Sequence, residues 1–382
     1  TLFRSGSLQA LRGSLFFVSL PIFFINFVLP VKSKELGASA FEIGGLFSLF
    51  TFSLVLLRPI VGLWIDRVGR KVFFLMALLL YTLAYLGYAF SVDLTAMYLS
   101  RFCQGIGASL LLITVDTITT DLITAEQRGQ ALGKNIEIQT RASMLGTILG
   151  FTLVGVMPLV AWQYSFYLFA AAGTAGLLLA LLKLKQTGFS HSQTYGFDLS
   201  LSDSLKRFLV ILAMLGFAGA VVQPIFLVYL QDEFTTDIRL LAGAFLPMGL
   251  LYAVLPSRTG KLSDRYGPAT LLIAGAMVTG CVYLVIPFIQ GYWLLIGVYT
   301  ISATGWVLIE PARKAFVANF GHPATVAKNF GMSEFAYGCG ATIGPLAGGY
   351  LYDVFSLTVP LVITSVLLAV IAMLIRWYLP RS

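Results

Sequence analysis

The run Gly62-Leu63-Trp64-Ile65-Asp66-Arg67-Val68-Gly69-Arg70-Lys71 decides the fold of this chain, because its skeleton is written twice. Gly62, Asp66, Arg67 and Gly69 form G-x-x-x-D-R-x-G, and Gly260, Asp264, Arg265 and Gly267 form it again 198 positions later. The offset persists downstream, where Gly133, Gly146 and Gly150 are matched by Gly331, Gly344 and Gly348. Seven positions at one offset in 382 residues imply two halves built alike. Each copy of the charged string lies between long apolar runs. That is the pattern of a membrane protein with two related halves, and it points to transport.

Composition agrees. The chain is 58% hydrophobic and 11% charged, against roughly 25% charged in soluble domains. It cannot present a wet surface, so most of its solvent must be lipid, and its 37 glycines suit close approach of membrane helices. Cys103, Cys281 and Cys339 all fall in apolar runs, and an odd number there argues against a disulfide framework or a metal site. His191 and His322 lie in expected loops without ligand spacing. No Ser/His or Cys/His pair and no phosphate-binding glycine loop stands on a soluble segment, so an enzyme is not expected, nor is a cofactor. The first apolar run, from about Leu15, is too long for a cleavable signal and continues as a span.

Twelve spans of about 20–22 residues need roughly 250 residues, which this length accommodates. The apolar runs place them at 13–31, 41–63, 71–90, 95–118, 135–157 and 162–182, then at 207–229, 240–257, 269–289, 292–315, 330–351 and 358–378. All must be helices, because a chain in hydrocarbon has to satisfy its own backbone. The expected fold is therefore all-α, with residues 1–182 as one six-helix bundle, 183–206 as a polar cytoplasmic linker and 207–382 as the second bundle. A net charge of +8 would suggest nucleic acid in a soluble domain. Here its placement gives orientation instead. With both termini cytoplasmic, nineteen Lys and Arg fall on the cytoplasmic side and three, Lys32, Lys34 and Arg239, on the other. Pro30, Pro59, Pro158, Pro224, Pro247 and Pro311 lie in or at the ends of spans, where they bend helices.

The Gly62–Lys71 run resembles the signature loop between helices 2 and 3 of the major facilitator superfamily. In that reading Gly62 allows close helix packing and Gly69 a tight turn. Arg101-Phe102-Cys103-Gln104-Gly105-Ile106-Gly107-Ala108 resembles the family's helix 4 signature, R-x-x-Q-G-x-G-A. A third string, G-x-x-x-G-P-x-x-G-G, stands on helix 11 as Gly340, Gly344, Pro345, Gly348 and Gly349. In antiporter branches that string is expected on helix 5. Helix 5 here keeps Gly146, Gly150 and Gly155 but has Phe151 in the proline's place, a departure that leaves the antiporter signature degenerate.

The resemblance implies two bundles that rock about a central site lined by helices 1, 4, 7 and 10. It also implies that the cytoplasmic loop latches the outward-open state. Asp66 would sit near the N-terminal end of helix 11, where the helix dipole favours an anion. Asp121 matches the family position that pairs with the loop arginine, here Arg70. The alternative for Gly62, Asp66, Arg67, Gly69, Arg70 and Asp121, and for the second copy, is a static network that holds the fold.

The repeat also acts as a filter. Residues that recur serve architecture, and ionisable residues that do not recur are candidates for chemistry. Arg101 maps to Tyr299, Glu137 to Phe335, Arg141 to Cys339, Asp116 to Lys314, and Glu310 to Leu112. An ionised side chain at the bilayer centre costs about 2.5–3.5 kcal/mol on insertion scales, so each needs a partner or water. Glu310, one residue before Pro311 in an apolar run, is the leading candidate for a proton or cation site. Its alternative is an ion pair with Arg313 or Lys314. Arg101 could bind an anionic group, tune a carboxyl, or hydrogen-bond helix 1. Glu137 and Arg141 are four apart and most simply pair with each other; Asp116 could snorkel or pair near the cytoplasmic end. Neutral candidates are Asn26, Gln104 and Gln223, and Phe23, Tyr229, Tyr299 and Trp306 could shape an apolar pocket.

The sequence thus leads to a monomeric secondary transporter in a prokaryotic inner membrane. Its partners are a small organic substrate, protons and membrane lipid, with no nucleic acid. Proton-coupled export of a drug or metabolite is the first reading, and uptake of a nutrient by symport or uniport is the second. A transporter-like sensor that no longer cycles is the third; the intact charged strings in both halves speak against it.

Overall fold

Without water to bond free amides, every spanning segment must close its own backbone hydrogen bonds, and the described elements are all helices. A computed structural model describes the backbone of residues 2–124, 128–157, 161–186, 203–255, 259, 262–263, 265–318 and 326–378. Helices α1 (Leu2–Ser19), α2 (Ile22–Glu35), α3 (Ala40–Val68), α4 (Arg70–Phe90), α5 (Leu94–Leu122), α6 (Arg128–Val156) and α7 (Ala161–Lys183) come from the first half. The second half supplies α8 (Asp203–Val221), α9 (Gln223–Glu233), α10 (Ile238–Val254), α11 (Pro268–Val285), a 3-10 turn (Ile286–Phe288), α12 (Tyr292–Ala318), α13 (Val326–Val354) and α14 (Thr358–Tyr378). No strand occurs among the described residues.

The described part of each of the twelve expected spans lies on one of these helices or on a consecutive pair, give or take a residue or so at the ends. Nine stretches of the described residues are long and apolar enough to cross a bilayer. The other three expected spans are α6, α10 and α13. The apolar part of α10 is short, Arg239–Tyr252. Glu137 and Arg141 dilute α6, and Glu334 and several glycines dilute α13. The exterior carries large apolar side chains such as Leu182, Phe288 and Trp377, each more than two-thirds exposed, as a lipid-facing surface requires.

The first helix of each half is broken by a proline. Helix α1 stops at Ser19 and α2 begins after Pro21; α8 stops at Val221 and α9 carries Pro224 in its first turn. A proline removes one amide and clashes with the preceding turn, so the helix restarts. Pro224 was legible as a bend; the break at Pro21 is an addition from the structure.

The chain packs as two compact units, residues 1–36 with 49–198, and residues 37–48 with 199–382. The pairing inside them repeats. In the first unit α4 packs on α5 and α7, and α1 on α6 and α7; in the second α11 packs on α12 and α14, and α8 on α13 and α14. Phe208, Leu212, Leu272, Ile309 and Leu368 form part of the second unit's core.

Glycine makes the tightest of these contacts possible. A methyl group on Gly340, Gly344 or Gly348 would run into the carbonyl oxygens of Ala213, Phe217 and Val221 respectively. These glycines recur every four residues, on one face of α13, and let its backbone lie on that of α8. Gly146 on α6 meets the carbonyl of Leu20 in the same way. Gly349 points elsewhere, at the carbonyl of Ala40, and Pro345 gives its carbonyl to the space above Gly44. The helix 11 string is therefore a packing device with two faces.

The start of α3 is capped twice over. Ser39 and Glu42 form a reciprocal box: the Ser39 amide donates to the Glu42 carboxylate at 2.9 Å, and the Glu42 amide to the Ser39 hydroxyl at 3.2 Å. The next two free amides, of Ala40 and Phe41, donate to the two oxygens of Asp353 at 2.9 and 2.8 Å. Asp353 lies at the end of α13, and Gly37–Ser48 belongs to the same compact unit as α13.

Two stability predictions follow from these contacts. Gly340→Ala, placed against the Ala213 carbonyl, should cost about 1–3 kcal/mol through forced separation of α13 and α8. Gly331→Ala, on the same helix with open space around it, should be neutral or gain up to about 1 kcal/mol from helix propensity. Thermal unfolding of the detergent-purified protein reads both, and equal melting temperatures for the two variants would refute the packing assignment. Asp353→Ala should cost about 1 kcal/mol in the same assay, with Asp353→Asn in between, because an amide keeps one acceptor where the carboxylate supplies two.

Candidate functional site

The polar residues of the spans assemble into separate clusters within the two units. In the first unit, Arg101 on α5 is among the largest fully buried side chains, 2% exposed. Its guanidinium donates to the Gln104 side-chain oxygen at 2.8 Å and to the Asn26 oxygen at 3.3 Å. The Phe50 ring covers one face, 4.3 Å from the guanidinium carbon. The Tyr88 hydroxyl donates to the same Gln104 oxygen at 2.9 Å, and the Trp162 indole donates to the Tyr88 carbonyl at 2.6 Å. Three expected candidates, Asn26, Arg101 and Gln104, are thus brought together. Phe50 and Tyr88 were not foreseen, since aromatics are too frequent here for any one to stand out.

At the repeat position of Arg101 stands Tyr299, whose ring stacks on Phe226 with centroids 3.6 Å apart and planes 12° from parallel. The same architectural slot holds a cation in one half and an aromatic pair in the other.

In the second unit the charges concentrate around Arg313. Its Nε and Nη2 donate to the two oxygens of Glu310, both at 2.8 Å, one turn earlier on α12. Its Nη1 donates to Glu334 on α13, also at 2.8 Å. Lys314 reaches Glu310 at 3.1 Å, and the Tyr337 ring lies 4.4 Å from the guanidinium carbon. Two acids and two bases therefore form a neutral quartet. Glu310 makes the ion pairs with Arg313 and Lys314 that the sequence offered as the alternative to a proton or cation site. Glu334 was missed, although the same filter reaches it: 198 positions earlier stands Ile136.

Glu137 pairs with Arg141 one turn on, and with Lys134 at 2.8 Å. Asp116 is exposed on α5, and Gln223 is exposed at the start of α9. Among the aromatics, Phe23 is exposed, while Trp306 packs beside Gly219 near the Tyr337 hydroxyl.

At the signature loop, α3 continues through Gly62, Asp66 and Arg67 to Val68, so the charged string occupies a helix end and the turn itself is Gly69, with φ of +104°. Gly267 matches it at +83°. A side chain is strained at such angles, which is why both copies keep glycine there. Arg70 forms an ion pair with Asp121, and it donates to the Thr117 carbonyl at 3.4 Å. Arg265 lies over the Tyr266 ring, 5.3 Å from its centroid. The side chains of Asp66 and Arg67, and all of Gly260 and Asp264, lie outside the described residues, as do His191, His322 and most of the expected linker.

Known proteins agree with this architecture. Relatives with low identity span nearly the whole chain. "Multidrug resistance protein 1" of Bacillus subtilis (strain 168) is 23% identical over 389 residues, covering 98% of this chain and 97% of its own. "Quinolone resistance protein NorA" of Staphylococcus aureus (strain Mu50) is 24% identical over 352 residues, covering 89% and 88%. Among solved structures, a bacterial homolog of the human lysosomal transporter Spinster, inward-facing and occupied, matches with a TM-score of 0.80 at 15% identity over 99% of this chain and 97% of its own. The nucleoside transporter NupG matches with a TM-score of 0.74 at 14% identity, over 98% of this chain and 99% of its own. The sequence model of the Major Facilitator Superfamily matches residues 13–311 and 208–382. With a repeated helical frame, buried charges in both halves and a family match along its length, this chain belongs to the Major Facilitator Superfamily and is a membrane transporter.

Proposed function

We propose that the chain exports a small organic molecule from a bacterial cell in exchange for protons, as a monomer in the plasma membrane with both termini in the cytoplasm. The observation that carries the reading is Glu310. It is an unrepeated carboxylate on the tenth span, 45% exposed at its side chain, and it shares the cation Arg313 with Glu334. An ionised Glu310 is held by three charge-assisted contacts. A proton on Glu310 replaces them and releases positive charge into the site, which is a means of exchanging one cargo for another. The resistance proteins named among the relatives support export of a foreign compound.

The Arg101 cluster supplies the complementary half of the proposal. Gln104 and Asn26 bond its cation and Phe50 covers one face, so these three residues set the position of Arg101. Arg70 and Asp121, with Gly62, Asp66, Arg67 and Gly69, form the cytoplasmic latch in this reading, and Gly260, Asp264, Arg265 and Gly267 are its counterpart. The Glu137–Arg141 pair is structural.

The test uses everted membrane vesicles with an acidic lumen and a quinolone as probe, after a thermal-shift screen of quinolones and other amphipathic compounds to choose one that binds. Wild type should accumulate the probe as protons leave. Glu310→Gln should reduce gradient-driven accumulation to background while probe-for-probe exchange continues. Unchanged driven accumulation in Glu310→Gln would remove the proton role. Accumulation that needs an alkaline lumen would replace export with uptake, and binding without flux would leave a sensor.

A further inference from the structure

We infer that Glu334 is a positioning residue for proton exchange at Glu310: it keeps Arg313 paired while Glu310 is protonated. The inference rests on Glu310 as the proton carrier and adds the residue that makes its protonation feasible.

The geometry divides one guanidinium between two carboxylates. Arg313 gives two donors to Glu310 and a third to Glu334, all at 2.8 Å. Exposure is split the other way. The Arg313 side chain is 6% exposed, while Glu310 is 45% and Glu334 34% exposed. The cation is buried and the anions border accessible space. A guanidinium does not give up its proton, so Arg313 stays charged whatever the acids do. Protonating its sole partner would leave a buried, uncompensated cation, which is strongly unfavourable. With Glu334 already bonded, one full anion remains in place and Arg313 need not move into water.

The neighbours fit this division of labour. On α12, Lys314 is the other base, with 53% of its side chain exposed, so it can return to water when Glu310 becomes neutral. From α13, Tyr337 covers the guanidinium beside Glu334. From α10, Tyr252 is the phenol within electrostatic reach of Glu310. Helix α11 has no acidic or basic residue in its sequence. Glu334 is thus the anion that the neighbouring helix turns toward Arg313. Its position is fixed by the glycine contacts that seat α13 on α8.

The sign of the expected effect follows. Removing the charge of Glu334 leaves Arg313 wholly dependent on Glu310, so Glu310 holds its negative charge more firmly and needs more protons to release it. In the vesicle assay, Glu334→Gln should move the pH of half-maximal driven transport to lower pH by about one unit, equivalent to tenfold more protons. Probe-for-probe exchange at a pH on the profile's plateau should keep its KM. A purely structural role would lower the amount of active protein without moving that midpoint.

The measurement compares wild type, Glu334→Gln and Glu310→Gln across external pH. An acid-shifted midpoint with intact exchange supports the inference, and an unmoved midpoint overturns it. Should Glu334→Gln not fold, Glu334→Asp takes its place, because its carboxylate stops one methylene short of Arg313. An acid shift there supports the role and no shift removes it. The Glu310→Gln arm separates the two proposals. Driven accumulation that survives Glu310→Gln sinks the proton reading and this inference together. Accumulation lost in Glu310→Gln with an unmoved Glu334→Gln midpoint sinks this inference alone.

Discussion

Direct backbone contact at glycine is the constraint on which the rest of the second half depends. Apolar side chains gain nothing by leaving lipid for one another, so helices in a membrane associate through close packing and polar bonds. Gly340, Gly344 and Gly348 place the backbone of α13 against the carbonyls of α8. That contact fixes both the height and the rotation of α13. A slip of one residue would turn Glu334 by about 100° and break its bond to Arg313. The charged quartet is therefore a product of packing by residues that carry no chemistry themselves.

The two halves use one frame for different electrostatics. The pairs of helices in contact are the same in each half, and each first helix is interrupted beside a proline. Yet the first half buries a cation among amide oxygens and aromatic rings, and the second buries a cation between two acids. Arg101 is fully buried and fixed by Gln104, Asn26 and Phe50. Arg313 is equally hidden, but its partners are half-open to accessible space and can change charge. Duplication supplies the frame, and divergence at a few positions gives the two halves different electrostatics.

Much of this was legible in the residue string. The 198-residue offset, the apolar runs and the charged strings led to an all-helical membrane protein with twelve spans, because period and hydropathy are local properties. The filter of unrepeated charges found Arg101 and Glu310. It did not show that Arg101 is held by Asn26 and Gln104, or that Glu310 is bonded to Arg313 on two sides, since those depend on helix rotation. Glu334 escaped notice within a helix whose glycine string dominates its reading. The break at Pro21 escaped because the apolar run continues unbroken through it, and hydropathy does not register a lost amide. Tyr88 and Phe50 were hidden by the abundance of aromatics. What a sequence lacks in each case is azimuth: the direction in which a helix points a given side chain.

The capping of α3 has a consequence for how the chain is made. Ser39 and Glu42 are three residues apart, and their box can close as soon as that turn leaves the ribosome. The amide of Ala40 must wait for Asp353, 313 positions later. At about 5–20 residues per second, that interval is on the order of 15–60 s of synthesis. Through that period the first two amides of α3 have no Asp353 to bond and must use water, and only the arrival of the penultimate span gives them their carboxylate. Assembly of this molecule is thus sealed retroactively, with one of the earliest elements finished by one of the last.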